Sequence, residues 1–400
     1  MVASLTWLDL TARDREQMRR VLDLFGEQGT IDEMGLGTLR DTLSDALFPG
    51  TSSIQTRLRY LLFIPWIYQR LEKRPRQIGD LDRDARQAEI ELISALMKSE
   101  DAEGVIGARA RAGLTRLPSH VYWAGLVRWG IFRLPQSQSW YHTHFAGLVQ
   151  GGDEVGRTDD PGILWSRQPA WHPRLPAPPN GFPWEASFAL TAEEADFLRG
   201  RFAERCADSL LAWLAGEGSG TPVENFWDDP VTLGANAEIV RTIELARRFS
   251  LHVEGLPLLY NLLLAQRRHA QQGSDAERID QYRAEIAEWA EREKQESDFD
   301  PDQLWGFMLR QGARLMHPQI RFVEHWSARV AEIGTNSIAD DPDLHRLVAQ
   351  RELQLKGKRA RLANQGRLLD WSGRVGVGRM DFRWFRVRQL LIDLHRGLET

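Results

Sequence analysis

Four hundred residues carry a single cysteine, Cys206. One thiol cannot close an internal disulfide or build a cysteine-based zinc site, so a reducing compartment is the expected setting. Long apolar runs are also missing. The longest, LLFIPWIY over residues 61–68, falls far short of the ~20 residues a membrane-spanning helix needs. The opening MVASLTWLDLTARDREQMRR has no basic segment followed by an apolar one, which excludes a secretory signal of the usual kind. A cytoplasmic protein without membrane contact is therefore expected. Charge of one sign is scarce too: the net charge of −5 is mild, so any nucleic-acid contact must come from a local patch.

Catalytic signatures are absent. There is no H-E-x-x-H, G-x-S-x-G or G-x-x-x-x-G-K-[ST], which leaves no standard zinc, serine-hydrolase or phosphate-loop site to name. The one close histidine pair, His142 and His144, has no carboxylate or cysteine beside it in sequence and reads as surface or packing. Asp343 with Gln354, Leu355 and Lys356 has a nuclease-like spacing, but the segment has a helical pattern where such sites need a strand end. Cys206 reads as a buried structural thiol. No metal and no cofactor are expected. Strand-like alternation is scarce and no repeat of 20–50 residues is found.

What the chain does have is helix. A hydrophobic share of 42% with 27% charged residues supports real cores and two or three domains. Thr11 and Asp14 have capping-box spacing before Met18, Val21, Leu22 and Phe25. Leu36, Leu39, Leu43 and Leu47 share one face of the next helix. Phe48-Pro49-Gly50-Thr51 breaks it, and Ser52, with Gln55 three residues on, opens a helix over residues 52–68 that Pro65 should kink. Thr191 and Glu194 form a capping box before a helix over 191–215, Asp300, Pro301 and Gln303 start another that ends before Pro318, and helices are also predicted over 80–98, 121–132, 235–249, 257–270, 341–355 and 382–398. Ser274 and Glu277 cap a charged helix with one narrow stripe, Ile279, Tyr282, Ile286 and Trp289, which suggests a projecting hairpin. Seven prolines between 161 and 183 forbid regular helix there. That stretch is either an interdomain connection or a loop pinned by Trp165, Trp171 and Trp184. The expectation is an all-α fold: a domain over 1–150, a connecting segment over 151–190 and a domain over 191–400.

Two stretches are candidates for nucleic-acid contact. Residues 36–68 have a helix–turn–helix arrangement. On the helical wheel Ser52, Ser53, Thr56, Arg59 and Tyr60 lie opposite the apolar face of Ile54, Leu58 and Leu61, flanked by Gln55 and Arg57, as a recognition helix requires. The bland alternative makes Ser52 a cap and pairs the arginines with Asp41 or Asp45. The second stretch is 351–396, with twelve Lys or Arg against four Asp or Glu, so it is +8 where the rest of the chain is −13. Lys356, Lys358, Arg359, Arg361 and Arg367 come first. Arg374 and Arg379 then alternate with Gly373, Gly376 and Gly378, among Trp371, Phe382, Trp384 and Phe385. Arginine, flexible glycine and aromatics suit a phosphate backbone with stacked bases; the alternative is a solvated helix and a core.

WLDL at 7–10, LFPGTSSIQTRLRYLLFIPWIYQRL at 47–71, GLPLLYNLLLA at 255–265 and LLDWSGRVGVGRMDFRWFRVRQLL at 368–391 resemble a bacterial family filed only as domain of unknown function 6361. The resemblance runs over nearly the whole chain. It implies a neighbourhood of anti-phage gene clusters with helicases, methyltransferases and nucleases, and it implies no active site. The leading expectation is a non-catalytic protein that binds duplex DNA within such a defence complex, beside partners such as a helicase or nuclease. A scaffold without DNA contact comes second, and an enzyme with a nonstandard site third. The alternatives differ in one respect. Basic residues gathered on an exposed face favour DNA, basic residues neutralised by distant acids favour a scaffold, and a cleft where carboxylates and histidines converge favours an enzyme.

Overall fold

The computed structural model describes residues 32–73, 81–110, 113–150, 169–218, 223–296 and 298–400. Among them are fourteen α-helices and no strand; an isolated bridge joins Phe132 and Trp171. The fold is all-α. The expected Thr11–Asp14 capping box, its helix and Trp165 lie outside the described residues.

The helices are α1 (Gly37–Leu47), α2 (Tyr60–Glu72), α3 (Leu81–Leu96), α4 (Pro118–Arg128), α5 (Gln138–Gln150), α6 (Ala192–Arg205) and α7 (Leu210–Glu217). They continue with α8 (Ala237–Gln272), α9 (Ala276–Glu296), α10 (Pro301–Arg310), α11 (His317–Ile333), α12 (Pro342–Lys356), α13 (Gln365–Leu369) and α14 (Trp384–Leu398). They pack into two compact units. One comprises the described residues of Thr42–Glu244 with Asp381–Thr400; the other comprises those of Leu245–Met380 with residues 32–41. The boundary expected at 151–190 is thus not where the chain divides, because the described part of that stretch is built into the first unit.

In the first unit α2 is buried from Tyr60 through Tyr68. Such a helix needs cover on every side, and α3 and α4 supply part of it. The proline-rich loop supplies more. Trp66 Nε1 donates to the Pro176 carbonyl at 2.7 Å, and Phe182 stacks on Phe63. His172 N–H donates to the Ile131 carbonyl at 2.9 Å. Trp171 is buried and pins this loop, whereas Trp184 is 65% exposed. α14 closes the unit against α6 and α7.

In the second unit α8 continues through Pro257, where two shorter helices were expected. A proline removes one helical N–H and crowds the preceding turn. Two tryptophans pack at that turn: Trp289 Nε1 donates to the Leu251 carbonyl at 2.7 Å and Trp326 Nε1 to that of His252 at 3.2 Å. Gly255 makes room, since a Cβ there would meet the Trp289 ring at 2.6 Å. The expected projecting hairpin is not formed. Tyr282, Ile286 and Trp289 of α9 are buried, and α9 packs on the turn Thr335–Asp340.

Candidate functional site

The presumed recognition helix does not exist as a helix. Residues 51–59 are loop and turn, and α2 starts at Tyr60. The reason lies in tertiary competition for the backbone donors. Tyr122 Oη accepts from Thr56 N–H at 2.8 Å and from Arg57 N–H at 3.0 Å, and Asp393 accepts from Leu58 N–H at 2.9 Å. With those groups satisfied, helical bonding offers nothing further. The capping hydrogen bond from Ser52 N–H to the Gln55 side chain still forms, at 3.3 Å, and Gln55 itself is buried.

The arginines of this segment point inward. Arg57 Nε meets both oxygens of Asp393 at 3.0–3.1 Å, and Nη1 reaches Asp101 at 2.6 Å. Arg59 Nη2 reaches Glu194 at 2.7 Å. Both are buried, with acids other than the Asp41 and Asp45 considered from sequence. Burial pushes the Asp393 carboxyl up from its ordinary value while Arg57 pulls it back. Thr56 Oγ1 donates to the Gly104 carbonyl at 2.6 Å, Ser52 is half-buried, and Ser53 is exposed.

The basic tail is dispersed in a similar way. Lys356 and Arg361 converge on the buried Glu33, Arg361 at 3.0 Å. Lys356 also reaches Glu352, which is fully buried and accepts from Tyr260 and from the Arg361 and Leu362 N–H groups. Burial opposes ionisation of Glu352, but these donors outweigh it and hold its pKa below the ordinary value. Arg367 pairs with Asp370 at 3.1 Å and Arg374 with Glu285 at 2.8 Å, both at the surface. Arg379 donates to the Arg247 carbonyl at 2.8 Å. Lys358 and Arg359 are exposed and have no ion pair among the described residues. Trp371, Phe382 and Trp384 are core, leaving Phe385 partly exposed. The glycine run is fixed in place, because Asn261, with no exposed surface, bonds both the N–H and the carbonyl of Val375.

A different constellation emerges in the Leu245–Met380 unit, drawn from three helices that sequence spacing cannot connect. His252 of α8 has Nδ1 2.6 Å from Glu293 Oε1 of α9 and Nε2 2.8 Å from Ser327 Oγ of α11. The ring stacks on Phe299, centroids 4.6 Å apart. With a neutral ring and Glu293 as the acceptor, Nδ1 carries the proton, Nε2 accepts and the Ser327 hydroxyl donates. All three residues line an open cleft of about 1010 Å³. Its wall adds Asp298, Asp300, Asp302 and Glu324, with Lys294 as the basic residue. Among the described residues no group of three or more His, Cys, Asp or Glu could hold a metal ion.

These residues were not singled out from sequence. One signal was available: the buried stripe Tyr282, Ile286, Trp289 continues at Glu293, placing a carboxylate where an apolar side chain was due. Such a group needs a partner, and His252 in the apolar run of α8 is that partner.

No curated protein and no solved structure matches this chain. A family model matches residues 2–396. The chain belongs to that family, DUF6361, described as a family of unknown function.

Proposed function

We propose that the Leu245–Met380 unit binds a cationic ligand in the cleft beside His252. The observation that carries this reading is the makeup of the wall. Exposed carboxylates of Asp300, Asp302 and Glu324 line it with the half-exposed ring of Phe299 and Lys294, and Asp298 lines it while paired with Arg248. Carboxylates lining one cleft attract a cation through a focused field, and an aromatic face adds a cation–π contact of about 0.5–2 kcal/mol. Isothermal titration of the full chain with Nα-acetyl-arginine amide and with Nα-acetyl-glutamate amide tests it. Binding of the first alone is expected, weakened about five-fold by Glu324→Gln or Asp302→Asn. Equal binding of both, or of neither at millimolar concentration, removes the reading.

Nucleic-acid contact is kept as a second reading on a narrower base, the exposed Lys358 and Arg359. Arg367 and Arg374 sit in surface ion pairs worth about 0–1 kcal/mol, so a phosphate could replace the acid. Two contacts give a salt slope of log affinity of about −2, and four give about −3.5. Fluorescence anisotropy with duplex DNA at several salt concentrations decides. Replacing both Lys358 and Arg359 by alanine should flatten the slope by about 2, and an unchanged slope removes the reading. Either function is compatible with the anti-phage assembly, with partners such as a helicase or nuclease, that the family resemblance implies.

A further inference from the structure

We infer that Ser327 is a nucleophile activated by His252, and that the cleft hydrolyses an ester or amide bond. The choice of a cationic substrate rests on the binding reading above; the nucleophile does not.

The first argument is where Ser327 directs its hydroxyl. Serine and threonine inside helices commonly donate back to the carbonyl four residues earlier. Ser94 does so to Ile90 at 3.0 Å, Thr143 to Ser139 at 2.9 Å and Thr242 to Glu238 at 2.9 Å. Ser327, in the middle of α11, instead pairs its hydroxyl with His252 Nε2 at 2.8 Å. The second argument is the support behind the imidazole. Glu293 fixes the ring and its tautomer from the far side, and its own side chain is only 7% exposed. Nucleophile to base to orienting carboxylate, each within 2.6–2.8 Å, is the arrangement that lets a serine react near neutral pH. The third argument is access, since His252 and Ser327 both face the cleft. Other histidines lack this combination. His345 and His395 meet backbone carbonyls of Ala339 and Leu214.

The chemistry balances with water as the co-reactant. Ser327 Oγ attacks the carbonyl carbon, its proton passes to His252 Nε2, and the carbonyl π pair moves onto oxygen. Glu293 stabilises the imidazolium through Nδ1–H. Collapse expels the alcohol or amine, which takes the proton from Nε2, and leaves an ester on Ser327. Water then attacks that ester while giving a proton to Nε2. The proton returns to Oγ as the acid leaves. Lys294 is the basic side chain on the same wall that could reach a developing oxyanion.

The test uses a tagged fluorophosphonate, which phosphonylates activated serines, on the full-length protein, with the modified peptide mapped by mass spectrometry. Wild type is expected to label at Ser327 and Ser327→Ala not at all. Glu293→Gln should slow labelling by at least about ten-fold and His252→Gln by about 100-fold or more. Because either replacement disturbs a buried contact, the pH dependence of wild-type labelling gives an independent check. The rate should rise with pH as a base deprotonates and then level. An unlabelled wild type, labelling that survives Ser327→Ala, or a rate independent of pH overturns the nucleophile. If Ser327 labels but nitrophenyl esters of acetyl-arginine and acetyl-glutamate are cleaved at equal rates, the cationic substrate class falls and the nucleophile stands.

Discussion

Two histidines in this protein hold partners of the same kind in different surroundings. His142, in the Thr42–Glu244 unit, links the Asp82 carboxylate to the Tyr68 hydroxyl, the latter at 2.7 Å. His252, in the Leu245–Met380 unit, links Glu293 to Ser327. The Tyr68 hydroxyl is sealed in the core, and burial holds its pKa well above the ordinary phenol value. It also accepts from Gln138 at 2.8 Å, and Gln138 continues to Ser119 and Glu89. That chain of bonds satisfies buried polar groups and leads nowhere a substrate could stand. Ser327 opens onto a cleft. A carboxylate–imidazole–hydroxyl sequence is therefore a structural bridge or a reactive device according to what lies beyond the hydroxyl. Arg57, Arg59 and Glu89 of the same unit are likewise closed over.

The contrast is broken or sharpened most strongly at the closed charges. Asp393→Ala leaves Arg57 without its main partner in a buried site and should cost on the order of 3–5 kcal/mol. Urea unfolding of the full chain measures it, and a cost below about 1 kcal/mol would mean that this unit is not closed as described. Next comes Glu89, whose carboxyl burial pushes up to about 7 from 4.5 despite two hydrogen bonds from Ser119. A folded-state pKa above the unfolded one means that the native state binds the extra proton. This contribution is full below about pH 4.5 and is lost as pH rises towards 7. From that shift stability should fall by roughly 3 kcal/mol between pH 5 and 8, and Glu89→Gln should flatten the profile.

A smaller effect tests the other unit. Gly255→Ala drives a methyl into the Trp289 ring beside His252 and should cost about 1–3 kcal/mol. It should also slow fluorophosphonate labelling, because α8 and α9 together set the imidazole. Loss of stability with unchanged labelling would separate the packing from the cleft. The smallest effect is expected at the surface. Arg374→Ala removes an exposed pair with Glu285 and should change stability by about 0–1 kcal/mol.

Local physics was well written in the sequence. The capping box at Thr191 and Glu194 forms in both directions, at 3.1–3.2 Å. Asp300 and Asp341 cap α10 and α12, with proline in the first turn of each, near the predicted starts. The narrow stripe on α9 was read correctly as apolar, but its burial was not foreseen, because a helical wheel does not show whether a partner waits for it. The segment at 52–59 failed for a related reason: its propensity was helical, and a tyrosine and an aspartate distant in sequence took its backbone donors. The dispersal of the basic tail was hidden because Glu33 and Glu285, distant in sequence, neutralise Lys356, Arg361 and Arg374, with Glu352 adding to Lys356 from one turn away. The candidate site was illegible for want of spacing. His252, Glu293 and Ser327 stand on separate helices, 41 and 75 residues apart from the histidine, and no motif joins them.

The pairing of Arg57 with Asp393 spans 336 residues, and during synthesis that distance is also a time. At ~5–20 residues per second a ribosome needs roughly 20–70 s to travel it. Through that interval α2 and its aromatic neighbours must wait with a guanidinium and a loop of unbonded amides where the core should be. The Leu245–Met380 unit closes only shortly before Asp393 is made, so both units are completed late in synthesis. The segment around Arg57 is the stretch on which a holding chaperone would act, and the stretch that a stalled ribosome would leave exposed to proteolysis.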